Sequence, residues 1–147
     1  MKELINKLVT ELLETLSNSP DKDRYLLGIT GCPAAGKSML AGKLTDEINF
    51  RTGDDLAAVV PMDGFHLPNS ILKKRGLTKV KGAPETFDAG SFVELINQLY
   101  EFPDRSIMCP AYDRKIHDPV ENFITIKPGN RLIIVEGNYL LLNAHPW

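Results

Sequence analysis

The sequence predicts an α/β protein in three layers, with helices on both faces of a mainly parallel sheet. Two observations carry that expectation. A short apolar run, Tyr25 to Thr30, leads into a glycine-bearing loop and then a segment of helical periodicity. Two further apolar runs, Leu56 to Val60 and Leu132 to Val135, are separated from it by helical or irregular stretches rather than by tight turns. Strands joined in that way need crossovers, and crossovers favour parallel pairing.

The elements follow in order. Leu4, Ile5, Leu8, Val9, Leu12, Leu13 and Leu16 recur at helical spacing, giving an amphipathic helix that ends before Asn18-Ser19-Pro20 and packs on the chain's own sheet. Tyr25 to Thr30 is a buried strand. Lys37 to Phe50 is a helix through Leu40, Leu44 and Ile48. Thr52 to Asp55 turns the chain into the second buried strand, Leu56 to Val60, which runs into Pro61-Met62-Asp63-Gly64-Phe65-His66. From Leu67 to Asp88 the chain is irregular, polar and basic, with Lys73, Lys74, Arg75, Lys79 and Lys81 close together. That cluster is either a solvated surface or one that attracts an anionic substrate or covers a site. Ser91 caps a helix from Phe92 to Tyr100 with Glu94 in its first turn. Arg105 to Cys109 is a short strand, Asn122 to Lys127 alternates as an exposed strand does, and Pro128-Gly129 turns into the third buried strand, Leu132 to Val135.

The loop between the first strand and its helix carries the chemistry. Gly31, Cys32, Pro33, Ala34, Ala35, Gly36, Lys37 and Ser38 fit G-x-x-x-x-G-K-[ST], and Met39 follows. The glycines let the backbone curl until successive N–H groups point inward, and the helix start beyond them leaves further N–H groups without intrahelical partners. An anion there satisfies those donors. Lys37 adds a charge for the outer phosphates, and the Ser38 hydroxyl suits Mg²⁺. The expectation is a nucleoside triphosphate site in a P-loop NTPase fold.

Composition narrows the rest. The chain has 147 residues, enough for one domain, with 43% apolar and 24% charged residues, as in soluble globular proteins. A net charge of −2 gives no general attraction to nucleic acid or a membrane. No apolar run approaches ~18 residues, and the acids scattered through the first residues do not fit a signal peptide. Cys32 and Cys109 lack metal-ligand spacing, and a disulfide inside a phosphate loop would be a liability, so a reducing cytoplasm is expected.

Ligands in open α/β sheets lie beyond the carboxyl ends of the strands. Asp63 and Glu136 are therefore expected on the same rim as the phosphate loop. Asp63, rigidly aimed from a strand end, is the candidate to accept a hydroxyl proton, with Lys37 as its catalytic partner. Four apolar residues followed by Glu136 form a Walker B-like arrangement, and Glu136 with Ser38 is the candidate Mg²⁺ pair. His117 either contacts a substrate or sits on a loop, and Arg114 either meets an anionic group or is a surface charge; spacing leaves both open.

GITGCPAAGKS, VVPMDGFHLPN, LKKRGLTKVKGAPETFD, PAYDRKIHD and IIVEGNYLLL stand in that order. Together they resemble the superfamily of phosphoribulokinase, uridine kinase and type I pantothenate kinase, and within it the bacterial nucleoside or pantothenate kinase-like members. The resemblance covers residues 25 to 147. It implies an ATP- and Mg²⁺-dependent kinase acting on a hydroxyl of a small metabolite, with Asp63 as base and Glu136 as the Walker B acid. It places Asp63, Phe65, His66, Tyr112, Arg114 and His117 near the acceptor. The Asp63 to Asp88 segment resembles pantothenate kinases, whereas Tyr112 and His117 stand at uridine-kinase spacing and Arg114 departs from the pantothenate-kinase pattern. A nucleoside, pantothenate-like compound, sugar or polyol all fit. The family continues beyond the equivalent of His145-Pro146-Trp147 with more strands and an Arg-bearing lid. The expectation is thus an incomplete kinase core after an N-terminal helix over 1–20. Its open edge beside the first strand would be covered by a second copy (a homodimer) or by further chain, and it would bind nucleotide better than it turns over. A non-catalytic ATP-binding module, or an inactive fragment of such a kinase, is the alternative. No N-K-x-D guanine signature occurs.

Overall fold

The structure is a computed structural model that describes residues 1–19 and 23–144; the expected terminus at 145–147, and Pro20 beyond the first helix, lie outside them. Helix α1 spans Lys2–Ser17, strand β1 Tyr25–Thr30, helix α2 Lys37–Thr52 and strand β2 Ala57–Pro61. A short 3₁₀ turn at Met62–Phe65 follows, then helix α3 (Asn69–Lys74), helix α4 (Ala89–Glu101), strands β3 (Ile107–Asp113) and β4 (Asp118–Ile126), and strand β5 (Leu132–Gly137).

The main sheet is parallel, in the order β1-β5-β2, with Gly28 opposite Val135 and Val60 opposite Val135. β5 is central, and all six of its residues are buried. On one face, Ile5, Val9 and Leu16 of α1 join Ala41, Leu44 and Ile48 of α2 over Leu132 and Ile134. On the other, Phe92, Leu95 and Leu99 of α4 pack over Val60, Ile133 and Val135, with Ile107, Cys109 and Ile126 from the β3–β4 hairpin. Successive β5 side chains point to opposite faces, so Ile133/Val135 and Leu132/Ile134 serve separate cores. This is the expected three-layer α/β arrangement.

Several local expectations need correction. β1 is half-exposed rather than buried, because it lies at the edge of the sheet; Tyr25 is 37% exposed. Leu4 projects into solvent although it lies within the periodic run. The 67–88 stretch is not wholly irregular, since it holds α3 and two 3₁₀ turns, at Thr78–Val80 and Pro84–Thr86. The cap of α4 is Asp88, not Ser91: the Asp88 carboxylate accepts both the Ser91 N–H at 3.0 Å and its hydroxyl at 2.8 Å. Starting the helix at Ala89 also moves Glu94 beyond the first turn. The strand predicted at Arg105 to Cys109 runs on to Asp113, through Pro110, and pairs antiparallel with β4 in a second sheet. Pro110 is tolerated because the register slips there: Cys109 faces Ile124 while Ala111 faces Val120. Asn122 takes up the slack at φ 52°.

Candidate active site

The phosphate loop bridges the end of β1 and the start of α2. Gly36, the N-cap of α2, has φ 85°, a left-handed conformation that suits a residue without Cβ. Lys37 lies at the first position of α2 and curls back so that its ammonium donates to the Cys32 carbonyl at 2.9 Å, across the mouth of the loop.

The two acids arrive from neighbouring strands. Pro61 on β2 pairs with Glu136 on β5, so Asp63, two residues past Pro61, comes off the same end of the sheet. The contact between the two strand ends is tight. A Cβ on Gly137 would meet Met62 Cβ at 2.6 Å and Sδ at 2.8 Å, and a Cβ on Gly64 would run into the Pro110 carbonyl. Glycine on both sides of Met62-Asp63 thus lets the 3₁₀ turn wedge between β5 and β3.

One cleft of about 410 Å³ gathers Pro33, Ala34, Gly36, Lys37, Ser38 and Met39 with Asp63, Arg114, Glu136 and Asn138. Within it the Ser38 hydroxyl donates to Glu136 Oε1 at 3.1 Å. Glu136 is 4% exposed. Burial pushes its carboxyl above the usual range; the Ser38 hydrogen bond opposes this, nearby Asp63 reinforces it, and Lys37 and Arg114 oppose it. A hydroxyl and a carboxylate side by side form a hard oxygen donor set that fits Mg²⁺, which takes few protein ligands and completes its shell with phosphate oxygens and water. No cluster of three or more His, Cys, Asp or Glu able to hold a metal occurs among the described residues.

The other predicted site residues divide. Arg114, in the four-residue turn of the β3–β4 hairpin, reaches the cleft and also lines a hairpin cavity with Tyr112. Phe65 is a core residue, 6% exposed, with its ring edge-on to Phe92 at 5.2 Å. His66 packs between Phe87 and Tyr112, at 4.0 and 4.9 Å, and its Nδ1 lies 2.8 Å from the Asp63 carbonyl. Phe65 and His66 line a separate cavity of about 510 Å³ that also includes Asp88, Pro110 and Glu121. His117 is exposed at φ 54°, and its backbone carbonyl, accepting from Asn69 and Lys81, makes its hydrogen bonds. Cys32 is exposed and Cys109 buried, both as free thiols.

Sequence reasoning missed Asn138. It stands two residues beyond Glu136, and that even spacing at a strand end was the available signal. No helix among the described residues is long and apolar enough to cross a membrane.

No protein-family model matches the chain. It is 39% identical, over 99% of its length and 60% of the relative's, to a Schizosaccharomyces pombe protein named "putative uridine kinase". It is 32% identical to the pantothenate kinase of Ligilactobacillus salivarius, over 84% of this chain and 40% of that one. Among solved structures, one described as a "putative fructose transport system kinase" from Silicibacter sp. TM1040 superposes with a TM-score of 0.83 at 38% identity, covering 96% of this chain and 66% of that one. The chain thus spans about 60% of the length of the first curated relatives it matches.

Proposed function

This chain belongs to the superfamily of P-loop kinases that includes uridine kinase and type I pantothenate kinase, and on that premise we propose that its cleft binds ATP with Mg²⁺ and moves the γ-phosphoryl group to a hydroxyl of a small metabolite. The observation that carries the proposal is the meeting of Lys37, Ser38, Asp63 and Glu136 in one cleft. Phosphoryl transfer needs a phosphate cradle, a metal seat and a group to orient the attacking oxygen, and little else.

In this reading the loop over residues 31–39 holds the polyphosphate through the backbone N–H groups of its residues other than Pro33, which has none, and Lys37 leaves the Cys32 carbonyl to meet the outer phosphates. Ser38 and Glu136 would hold Mg²⁺, whose chemistry is to neutralise charge on the phosphate oxygens. Asp63 accepts the proton of the acceptor hydroxyl as its oxygen bonds to the γ-phosphorus and the bond to the β–γ bridging oxygen breaks, leaving ADP. Arg114 meets the charge on the transferred group or on the acceptor, with Tyr112 and His66 on the acceptor side. Phe65 and the His117 carbonyl support that wall from behind. The acceptor class is a nucleoside, a pantothenate-like compound, or a sugar or polyol. The two free thiols fit a cytoplasmic setting, and pairing of a second copy along the β1 edge belongs to the same reading.

The test is incubation with Mg-ATP and a panel of hydroxylated metabolites, scoring ADP that depends on the added acceptor. Lys37→Ala is expected to abolish nucleotide binding, and Asp63→Asn to keep binding while losing transfer. Nucleotide binding with no acceptor-dependent ADP across the panel favours the ATP-binding module. An Asp63→Asn protein transferring at the normal rate removes Asp63 as the base.

A further inference from the structure

Arg114 reaches the cleft from the tip of a hairpin in a separate sheet, so something must fix that tip. The hairpin turn is built from Arg114, Lys115, Ile116 and His117, all exposed, and such a turn holds its place only through contacts to another element. The contacts come from the basic stretch. Lys73, Lys74, Arg75 and Lys79 are exposed, whereas Lys81 is half-buried. Its ammonium donates to the His117 carbonyl at 2.7 Å and to Asn69 Oδ1 at 2.6 Å, and lies 5.2 Å from the centre of the Tyr112 ring. Asn69 completes the contact: its side-chain amide donates to the same His117 carbonyl at 2.8 Å, and its backbone N–H donates to Asp118 Oδ1 at 2.8 Å. The backbone beside Lys81 is itself tied down, because the Tyr139 hydroxyl, three residues past Glu136, donates to the Gly82 carbonyl at 2.6 Å.

We infer that Lys81 is a positioning residue: with Asn69 it clasps the turn of the β3–β4 hairpin and thereby sets Arg114 over the phosphate cleft. Three donors converge on two acceptors at the end of the turn, the carbonyl of its left-handed residue His117 and the carboxylate of Asp118 beside it, and the ammonium over Tyr112 fixes the adjoining strand. The same contacts answer what the basic stretch does: one of its lysines is a strut, not part of a diffuse anion-attracting surface. The role for the cleft rests on the nucleotide reading above, whereas the clasp itself does not.

The experiment uses the full chain and two readouts. The first is amide hydrogen exchange across residues 112–120 without nucleotide. Lys81→Met and Asn69→Ala are each expected to speed exchange there while leaving β5 unchanged, and Lys81→Arg, which keeps a charged donor, to restore much of the protection. The second is Mg-ATP affinity by calorimetry for wild type, Lys81→Met, Arg114→Met and the double variant. Arg114→Met is expected to weaken binding roughly tenfold and Lys81→Met roughly fivefold, with the double variant no weaker than Arg114→Met alone. Multiplying effects, or unaltered hairpin exchange in both clasp variants, overturn the inference while leaving the nucleotide reading intact. Failure of wild type to bind Mg-ATP overturns the reading of the cleft and, with it, the role of the clasp there.

Discussion

Gly137→Ala tests how the two acids are held in register. Gly137 follows Glu136 on β5, and the hydrogen it carries in place of a side chain lies against Met62, the residue before Asp63. An added Cβ would stand 2.6 Å from Met62 Cβ, where ordinary contact begins near 3.4 Å, so Met62 must retreat by about 0.8 Å. The atom to be moved is a Cβ fixed to the backbone, not the end of a flexible chain. Met62 is fully buried, and behind it the chain at Gly64 already abuts the Pro110 carbonyl. The displacement therefore carries Asp63 with it. A misplacement near 1 Å costs on the order of 10²-fold in turnover, and overpacking of this kind costs about 1–3 kcal/mol of stability. Gly137 also adjoins Glu136 and pairs with Thr30, the residue before the phosphate loop, so Mg-ATP affinity should fall as well, but by less than turnover does. The assay pairs urea unfolding with calorimetric Mg-ATP titration and acceptor-dependent ADP release, using whichever acceptor the panel yields. Gly42→Ala in α2 is the control: nothing lies within 4 Å of its added Cβ, and it should gain about 0.5–1 kcal/mol. A Gly137→Ala protein with wild-type stability and wild-type turnover would refute the close-contact argument.

The remaining expectations concern charge and the two thiols. Glu136 is held above the ordinary carboxyl range, chiefly by burial, so the folded protein binds its proton more tightly than the unfolded one. Its contribution to stability is then complete below the ordinary Glu range and is lost as pH rises through the raised value. Urea midpoints measured from pH 4 to 8 should show that loss in wild type but not in Glu136→Gln; equal slopes count against it. Over the same window Mg²⁺ affinity should rise with pH, since the carboxylate is the ligand form. Arg24, 4% exposed, donates to the carbonyls of Arg105 at 2.8 Å, Lys127 at 3.0 Å and Phe102 at 3.2 Å, tying α4 to both hairpin strands. Arg24→Met should lower unfolding free energy by about 3–5 kcal/mol, because it leaves those carbonyls unpaired; a loss under about 1 kcal/mol would mean water replaces the guanidinium. Burial lifts the Cys109 thiol to about 11, so at neutral pH only exposed Cys32 should react with iodoacetamide, and Mg-ATP should slow that reaction. Two thiols labelled in the native protein would contradict the burial of Cys109.

Much of this site is local in sequence, which is why it was legible. The phosphate loop needs only consecutive residues, and the two acids need only the rule that strand ends share a rim. Asp63 and Glu136 were therefore placed without knowing the strand order. The hairpin was harder. Pro110 within β3 and a slip of register opposite Asn122 hide the pairing from any test based on alternation, since both strands break period two at the same level. The open edge beside β1 was expected from the resemblance, but the partial exposure of its side chains was hidden for another reason: an apolar strand has the same composition whether one neighbour covers it or two. Ser91 looked like a cap because Asp88 lies three residues earlier and the two swap roles in one hydrogen-bonded pair. Lys81 could not have been separated from its basic neighbours, because what distinguishes it is a carbonyl 36 residues away.

The cleft's charges also say why its parts come from four different segments. Lys37 and Arg114 bring positive charge, while Asp63 lies close enough to Glu136 to disfavour the charged form of that carboxyl. Held on one flexible loop, such a set would collapse into two ion pairs and leave nothing aimed at a ligand. Here each group is anchored separately: Lys37 on the first turn of α2, Glu136 inside a fully buried strand, Asp63 on a turn wedged beside two glycines, and Arg114 on a clasped hairpin. The ammonium is occupied by a neutral carbonyl rather than by either acid, and the buried acid is held by a hydroxyl. On the proposed reading, a phosphate oxygen and a metal ion would take the places of that carbonyl and that hydroxyl. The fold thus keeps opposite charges within reach of one ligand while denying them one another.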